Sequence, residues 1–352
     1  MKKELLLASA LVGTVGMSGV ALAIDPSFSG HTRNGVTWSD TDEAGDASMT
    51  GNQQSSLSIA LSTVTDGNTT IATGFDVTNE NDAATDSSGL TLTFNSGVKL
   101  DVIEAGAAYA SHLATVPSAG GEQGVGSTTN MAAPTGLTYA NSNDLVGFEL
   151  HSAADAFGVD GLKLGVSASF NGDAASTTSA HAVSNSFSVG ASYVADAGDT
   201  TVTIGGGFFQ ADTVATAATA DSQSTAMSIA AVTGDLTVGV GYASGDYLKG
   251  NGVLDEQVTN VDVMTAGVKY VSGDITFNLG YASGEGTDSA LGAAATAASG
   301  DNYTQTAASV GYAVTSGVSA TIGYSDRSRS TENTANAASS GTSWYIGADV
   351  SF

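Results

Sequence analysis

The sequence predicts an all-β protein, a 16-stranded antiparallel transmembrane β-barrel. Three observations predict this fold. Apolar and polar residues alternate along most of the chain, short glycine-containing turns alternate with long acidic loops, and aromatic residues recur near both ends of the predicted strands. Hydrocarbon offers backbone amides no hydrogen-bond partner, so a sheet can cross a membrane only when it closes on itself.

The composition excludes several classes of protein. The 352 residues include 35 Asp and Glu but only 9 Lys and Arg, which gives a formal net charge of −26, and there is no cysteine. A chain without cysteine forms neither a disulfide scaffold nor a thiolate metal site. The acid excess argues against nucleic acid as a partner, because that binding depends on Lys and Arg at the phosphates.

Residues 1–23 have the features of a secretory signal peptide. Two lysines precede an apolar stretch over 5–20, and Ala21-Leu22-Ala23 supplies a cleavage site of the A-x-A type. An uncleaved anchor helix is the alternative, but the apolar stretch is short and rich in glycine. We therefore expect export, with residues 24–352 forming the mature barrel domain.

Sixteen stretches of alternating residues set the strand number. The clearest is the last, where Trp344, Ile346, Ala348, Val350 and Phe352 share one face. Such alternation means that one face of the strand meets an apolar medium and the other a polar one. The predicted strands cover 27–39, 56–64, 70–79, 88–94, 98–103, 144–152, 161–171, 183–194, 200–211, 224–232, 236–243, 261–271, 274–282, 304–314, 318–326 and 342–352.

The connections between these strands alternate in length. Short turns such as 95–97 and 272–273 contain the glycine that tight hairpins need, whereas the other connections are long and acidic, and the longest covers 104–143. Outward aromatic residues lie at the long-loop end of some strands (Tyr281) and at the short-turn end of others (Tyr312). Rings at the two membrane interfaces explain this placement, for which a soluble β-sandwich gives no reason.

Together these features resemble the general porins of Gram-negative bacteria, and those of alphaproteobacteria most. The resemblance rests on the export signal, the sixteen amphipathic strands, the overlong third outer loop and the aromatic last strand. It implies that the loop 104–143 folds into the lumen and sets the constriction, that three barrels form a homotrimer, and that the protein lies in the outer membrane. It also implies that Trp344, Ile346, Val350 and Phe352 belong to the C-terminal signal read by the barrel-assembly machinery.

Strand alternation also places charged side chains on the lumen side. Lipid-facing Arg or Lys near the bilayer centre would cost about 2–4 kcal/mol, so inward placement is expected. Arg33 lies mid-strand and is predicted to form the basic wall of the constriction, opposite Glu104 and, as a hypothesis, Glu122. The alternative for Glu122, which lies among glycines, is a solvated loop residue. The other candidates are the pore-lining acids Asp76, Asp101 and Glu149, and, beside short turns at the periplasmic mouth, Lys99, Lys163, Lys269 and Asp349.

Calcium is a further candidate ligand. Asp40, Asp42, Glu43 and Asp46 offer the hard oxygen ligands that Ca²⁺ prefers, although their spacing matches no defined calcium loop. Structural calcium or calcium-bridged lipopolysaccharide is one interpretation of this cluster. Free, solvated acids are the other.

The remaining polar residues suggest no enzyme. The histidines His31, His112, His151 and His181 occur singly and without metal-site spacing, which favours polar lining, and Arg327 is assigned to an outer loop or rim. We therefore expect a general diffusion porin without a cofactor, which lets small hydrophilic solutes and ions pass passively with a weak preference for cations. A substrate-selective porin and a secreted Gly/Ser/Thr-rich β-adhesin are the alternatives.

Overall fold

The computed structural model describes residues 24–41, 48–80, 82–102, 107–119, 146–170, 181–215, 219–250, 255–290, 299–330 and 339–352. These ranges form sixteen strands: β1 Asp25–Thr41, β2 Ser48–Val64, β3 Thr70–Glu80, β4 Asp82–Thr93, β5 Lys99–Val102, β6 Val146–His151, β7 Leu162–Phe170, β8 His181–Ala197, β9 Thr200–Ala215, β10 Thr219–Thr233, β11 Leu236–Gly250, β12 Asp255–Ser272, β13 Ile275–Ala290, β14 Ser299–Thr315, β15 Val318–Ser330 and β16 Ser339–Ser351. Each strand pairs with its neighbours along the chain, and β1 pairs antiparallel with β16. The predicted closed barrel of sixteen strands is confirmed.

Several strands extend further toward the long loops than the sequence predicts. β2 begins at Ser48 rather than near residue 56, and β12 begins at Asp255 rather than near 261. Apart from Met49 and Val258 these extensions have polar residues or glycine on both faces, so they lack the alternation that marks a strand in lipid. The backbone ladder continues there because pairing with the neighbouring strand does not depend on which solvent the side chains meet.

The inward and outward faces follow the predicted alternation. Trp344 and Ile346 are each 52% exposed on the outside of β16, whereas Tyr345 between them is 5% exposed. The register aligns Ile346 with Val36 of β1 and with Ile322 of β15, so apolar side chains from neighbouring strands form one outward band. This band is the lipid-facing surface expected of a transmembrane barrel.

Helical structure is confined to single turns in the described ranges. They are α1, Ala108–Ser111, and a 3-10 turn at Ala156–Gly158. No helix in this part of the chain is long and apolar enough to span a membrane. Residues 1–23 lie outside the described residues, so the signal peptide stays a prediction.

Candidate functional site

The first part of the predicted constriction loop, residues 107–119, lies inside the barrel against its inner wall. At one end, α1 contacts β7, β8 and β9. At the other end, Ala119 packs against Ala307 of β14 and Tyr345 of β16. The segment therefore crosses the inner wall from β7 to β14, which confirms for these residues that the third loop folds into the lumen. The rest of the loop, 104–106 and 120–143, lies outside the described residues.

Inward-facing glycines make room for this segment. A Cβ atom at Gly267 would overlap the carbonyl oxygen of Pro117, and one at Gly207 would lie 2.6 Å from the Cα of Tyr109. Only glycine lets two backbones approach this closely. We call the inward-facing glycines that lie against this segment the glycine track. They are Gly165, Gly190, Gly205, Gly207, Gly239, Gly267 and Gly280, on β7, β8, β9, β11, β12 and β13.

Inward-facing serines hold the same segment by hydrogen bonds. Ser188 Oγ accepts the backbone N–H of Tyr109 at 3.0 Å, and Ser228 Oγ accepts that of Ala114 at 2.6 Å. These backbone groups are buried, where an unpaired N–H would be costly. A third serine, Ser167, accepts the N–H of Ala108 at 3.1 Å. We call Ser167, Ser188 and Ser228 the serine tethers.

A small apolar cluster packs against one side of the loop segment. Tyr109 is 1% exposed and its ring centre lies 5.5 Å from that of Phe209, which points inward from β9. Ala107, Ala211 and Ala226 complete the cluster. Burial raises the pKa of the Tyr109 phenol above its usual value, so this ring stays uncharged at neutral pH.

His112 belongs to this segment, and its imidazole lies against the inner wall. Its Nδ1 lies 3.1 Å from Ser192 Oγ on β8, and its Nε2 lies close over Gly165 of β7. Burial lowers the pKa of His112, and electrostatic interactions with His151 and Lys163 lower it further. The ring is therefore neutral at neutral pH.

Arg33 forms an ion pair where the barrel closes. Its Nε donates to Asp349 Oδ2 at 2.6 Å, and its Nη1 donates to Gln54 Oε1 at 3.2 Å. The sequence placed Arg33 at mid-pore and Asp349 at the periplasmic mouth, but the register sets them opposite each other on β1 and β16. The structure therefore contradicts the prediction that the two residues lie at different heights in the pore. The reason is that β16 ends at Ser351, opposite His31, so the residues before Gly30 extend past the end of β16 and pair only with β2.

A second cluster lies on β5 and β6, at the root of the loop. We call it the β5–β6 cluster, and it consists of Lys99, Asp101, Glu149 and His151. His151 Nε2 lies 3.2 Å from Asp101 Oδ2 and 3.5 Å from Glu149 Oε1, and Lys99 Nζ lies 2.9 Å from Asp101 Oδ2. Glu149 points inward as predicted but is only 3% exposed, because α1 packs against β6. Its carboxylate is therefore covered rather than in contact with open water, which corrects its prediction as a pore-lining acid.

The other predicted charged residues join neither cluster among the described contacts. Asp76 is exposed on β3, opposite Ser58 of β2. Lys163 and Lys269 are exposed near the short-turn ends of β7 and β12. Their predicted roles at the pore wall and the periplasmic mouth stay predictions.

Several predicted residues fall outside the described part of the chain. Glu104 and Glu122 of the constriction loop are among them, as are Asp42, Glu43 and Asp46 of the calcium candidate. Asp40 is described and lies opposite Thr342 of β16. Of the C-terminal set, Trp344, Ile346, Val350 and Phe352 all point outward and are 40–72% exposed.

Sequence reasoning missed two features of the wall. Arg327, assigned to a loop or rim, lies within β15 and is 2% exposed. The inward alternation of Gly323 and Ser325 continues to Arg327, so extending that pattern by one step would have found it. His112 and His151, interpreted as isolated lining, have ring centres 5.7 Å apart. Nothing local in the sequence indicates this contact, because it depends on where the loop lies.

The sequence of the chain matches the Gram-negative porin family over residues 8–333. The chain belongs to this family. The family consists of channel proteins of the bacterial outer membrane, and this porin is therefore an outer-membrane protein. Comparison with curated protein sequences gives no match.

Solved structures share the fold of this porin at low sequence identity. The anion-selective porin of Comamonas acidovorans is 13% identical with a TM-score of 0.62, and the match covers 94% of this chain and all of that one. A mutant of the Rh. blastica porin is 15% identical with a TM-score of 0.58, covering 93% of this chain and all of that one. The trimer form of OmpT from Vibrio cholerae is 13% identical with a TM-score of 0.57, covering 94% and 99%. At these identities the likeness concerns the fold alone.

Proposed function

We propose that this porin is a general diffusion pore, through which small hydrophilic solutes and ions pass down their gradients without a cofactor and without catalysis. The observation that carries this proposal is the attachment of residues 107–119 to the inner wall by the glycine track and the serine tethers. A sixteen-stranded barrel encloses an aqueous channel, whereas one of eight strands is filled by side chains. A loop fixed along the wall narrows such a channel without closing it.

A weak preference for cations follows from the charge balance. The chain has a formal net charge of −26, and clustered acids raise the local concentration of cations. Arg33, which is paired with Asp349 at 2.6 Å, adds no net charge to the pore wall. The preference is weak because salt screens charges in the outer loops over about 8–10 Å.

Assembly as a homotrimer belongs to the same proposal. The Vibrio cholerae porin OmpT, which shares the fold, is described in a trimer form. Recognition of the C-terminal strand by the barrel-assembly machinery, contact with lipopolysaccharide and structural calcium remain predictions from the sequence. The closed barrel and the family membership favour a pore over a secreted adhesin.

Planar-bilayer recording and liposome swelling test this function. Purified porin should give stepwise conductance that rises linearly with salt concentration, a small cation-selective reversal potential, and swelling rates that fall steadily with solute size. Saturating conductance, or block by one solute class, would instead identify a substrate-selective porin. The absence of any conductance from correctly folded protein would overturn the proposal of a pore.

A further inference from the structure

The β5–β6 cluster contains a buried carboxylate between two partly exposed ligand groups. The side chain of Glu149 is 4% exposed, and its Oε1 has no hydrogen-bond partner among the described residues. A carboxylate oxygen buried in this way carries a desolvation penalty that a hydrogen bond or a cation must offset. One ligand atom from each of Asp101, Glu149 and His151 lies within 4.8 Å of the other two.

The spacing of these atoms fits a tetrahedral metal ion. Zinc binds imidazole nitrogen and carboxylate oxygen at about 2.0–2.2 Å, so two ligand atoms on one ion are about 3.4 Å apart. The distances from His151 Nε2 to Asp101 Oδ2 and to Glu149 Oε1 are 3.2 and 3.5 Å. Two of the three ligand–ligand distances therefore already match those of such a site.

The imidazole of His112 lies beside these three ligand groups and is not one of them. Its Nε2 is buried and has no hydrogen-bond partner among the described residues. The hydroxyl of Ser192 lies 3.1 Å from Nδ1, and a proton placed there leaves the lone pair of Nε2 free. The ring centres of His112 and His151 are 5.7 Å apart.

The surroundings of Asp101 show both a supporting contact and a competitor. The hydroxyl of Thr91 donates to Asp101 Oδ1 at 2.5 Å, which orients the carboxylate and leaves Oδ2 toward the cluster. Lys99 Nζ lies 2.9 Å from that same Oδ2. The Lys99 side chain is 45% exposed, so it can turn into the lumen when a metal ion takes its place.

We infer that Asp101, Glu149 and His151 form a binding site for one divalent transition-metal ion of the zinc class, with water at the fourth position. Zinc is favoured over Ca²⁺ and Mg²⁺ because one of the three protein ligands is an imidazole, whereas the two hard cations prefer oxygen ligands and higher coordination numbers. The bound ion would join β5 to β6 at the root of the constriction loop. This site is independent of the proposed diffusion function.

Metal content gives the direct test. Folded porin in detergent is stripped with a chelator and dialysed against micromolar Zn²⁺, and the bound metal is measured by mass spectrometry. We expect one zinc ion per chain, at least tenfold weaker binding in Glu149→Gln and His151→Gln, and unchanged binding in Glu285→Gln. Glu285 is an exposed residue of β13 and serves as the matched control. Lys99→Gln should bind zinc more tightly, because the competing ammonium is gone.

Three outcomes would overturn the site. They are a wild-type protein that binds no zinc, equal affinity in Glu149→Gln and wild type, and preferential binding of Ca²⁺ or Mg²⁺. The first would mean that His151 contacts the two carboxylates directly, with no ion between them. Should His151→Gln fail to fold, as judged by its heat-dependent gel mobility, Co²⁺ bound to the wild type decides the matter. A strong visible absorption band displaced by Zn²⁺ supports the tetrahedral site, and a weak octahedral spectrum rejects it.

Discussion

Arg33 on the first strand and Asp349 on the last form a 2.6 Å ion pair across the line where the barrel closes. Both side chains are about a quarter exposed, so the pair faces the lumen while it fastens β1 to β16. A charge pair on the wall of a narrow channel acts on passing ions through its local field. The predictions below begin with this pair.

Neutralising Arg33 and neutralising Asp349 should shift the ion selectivity of the pore in opposite directions. Arg33→Gln leaves the carboxylate of Asp349 unpaired, so the ratio of cation to anion permeability should rise by about twofold or more. Asp349→Asn should lower it. The measurement is the reversal potential in a salt gradient across a bilayer. Asp274→Asn, in the short turn after β12, removes the same charge outside the strands and should change little. Equal reversal potentials in Arg33→Gln and Asp349→Asn would contradict a role for the pair in selectivity.

A methyl group on the glycine track should displace the constriction loop. In Gly267→Ala the new Cβ overlaps the carbonyl oxygen of Pro117, so the loop backbone must move away from the wall. Overpacking of this kind costs about 1–3 kcal/mol. We expect a changed single-channel conductance, more current noise and a lower temperature of unfolding on gels.

Gly51→Ala is the matched control for this substitution. No atom lies within 4 Å of the position that a Cβ at Gly51 would occupy. Its conductance and heat stability should equal those of the wild type. If Gly267→Ala behaves in the same way, the loop does not lie against β12 in the membrane.

Removal of a serine tether should loosen the loop without adding bulk. Ser188→Ala deprives the buried N–H of Tyr109 of its acceptor, which costs about 1–3 kcal/mol. We expect the heat-induced mobility shift at a lower temperature, and faster amide hydrogen exchange at residues 108–114. Ser272→Ala, at an exposed serine that ends β12, should show neither effect. Unchanged exchange in Ser188→Ala would show that the hydroxyl does not hold the loop.

A lysine on the outer face should prevent assembly, and the same lysine one residue earlier should not. Ile322 is 49% exposed in the outward band, where a charge costs about 2–4 kcal/mol in lipid. Thr321 points into the lumen, where water solvates the ammonium. We expect little Ile322→Lys protein in outer membranes and normal amounts of Thr321→Lys, as measured by fractionation. The reverse result would mean that the assigned faces are exchanged.

The sequence determined the strand number, the two faces of each strand and the length pattern of the connections. These properties follow from side-chain alternation with a period of two, and each can be found within one strand and its turn, as Trp344 and Ile346 show. The inward position of Arg33 and of Glu149 followed from the same alternation. The export signal is a local pattern as well, and it stays a prediction because its residues are not described.

The tertiary structure alone decided which inward residues meet. Arg33 and Asp349 are 316 positions apart, and only the register at the barrel closure sets them at one level. His112 reaches His151 because the loop folds back onto the wall, and the glycines and serines that receive it come from different strands. Alternation fixes the side of the sheet on which a residue lies. It does not fix the strand shift or the path of a loop, because these depend on contacts between segments far apart in the chain.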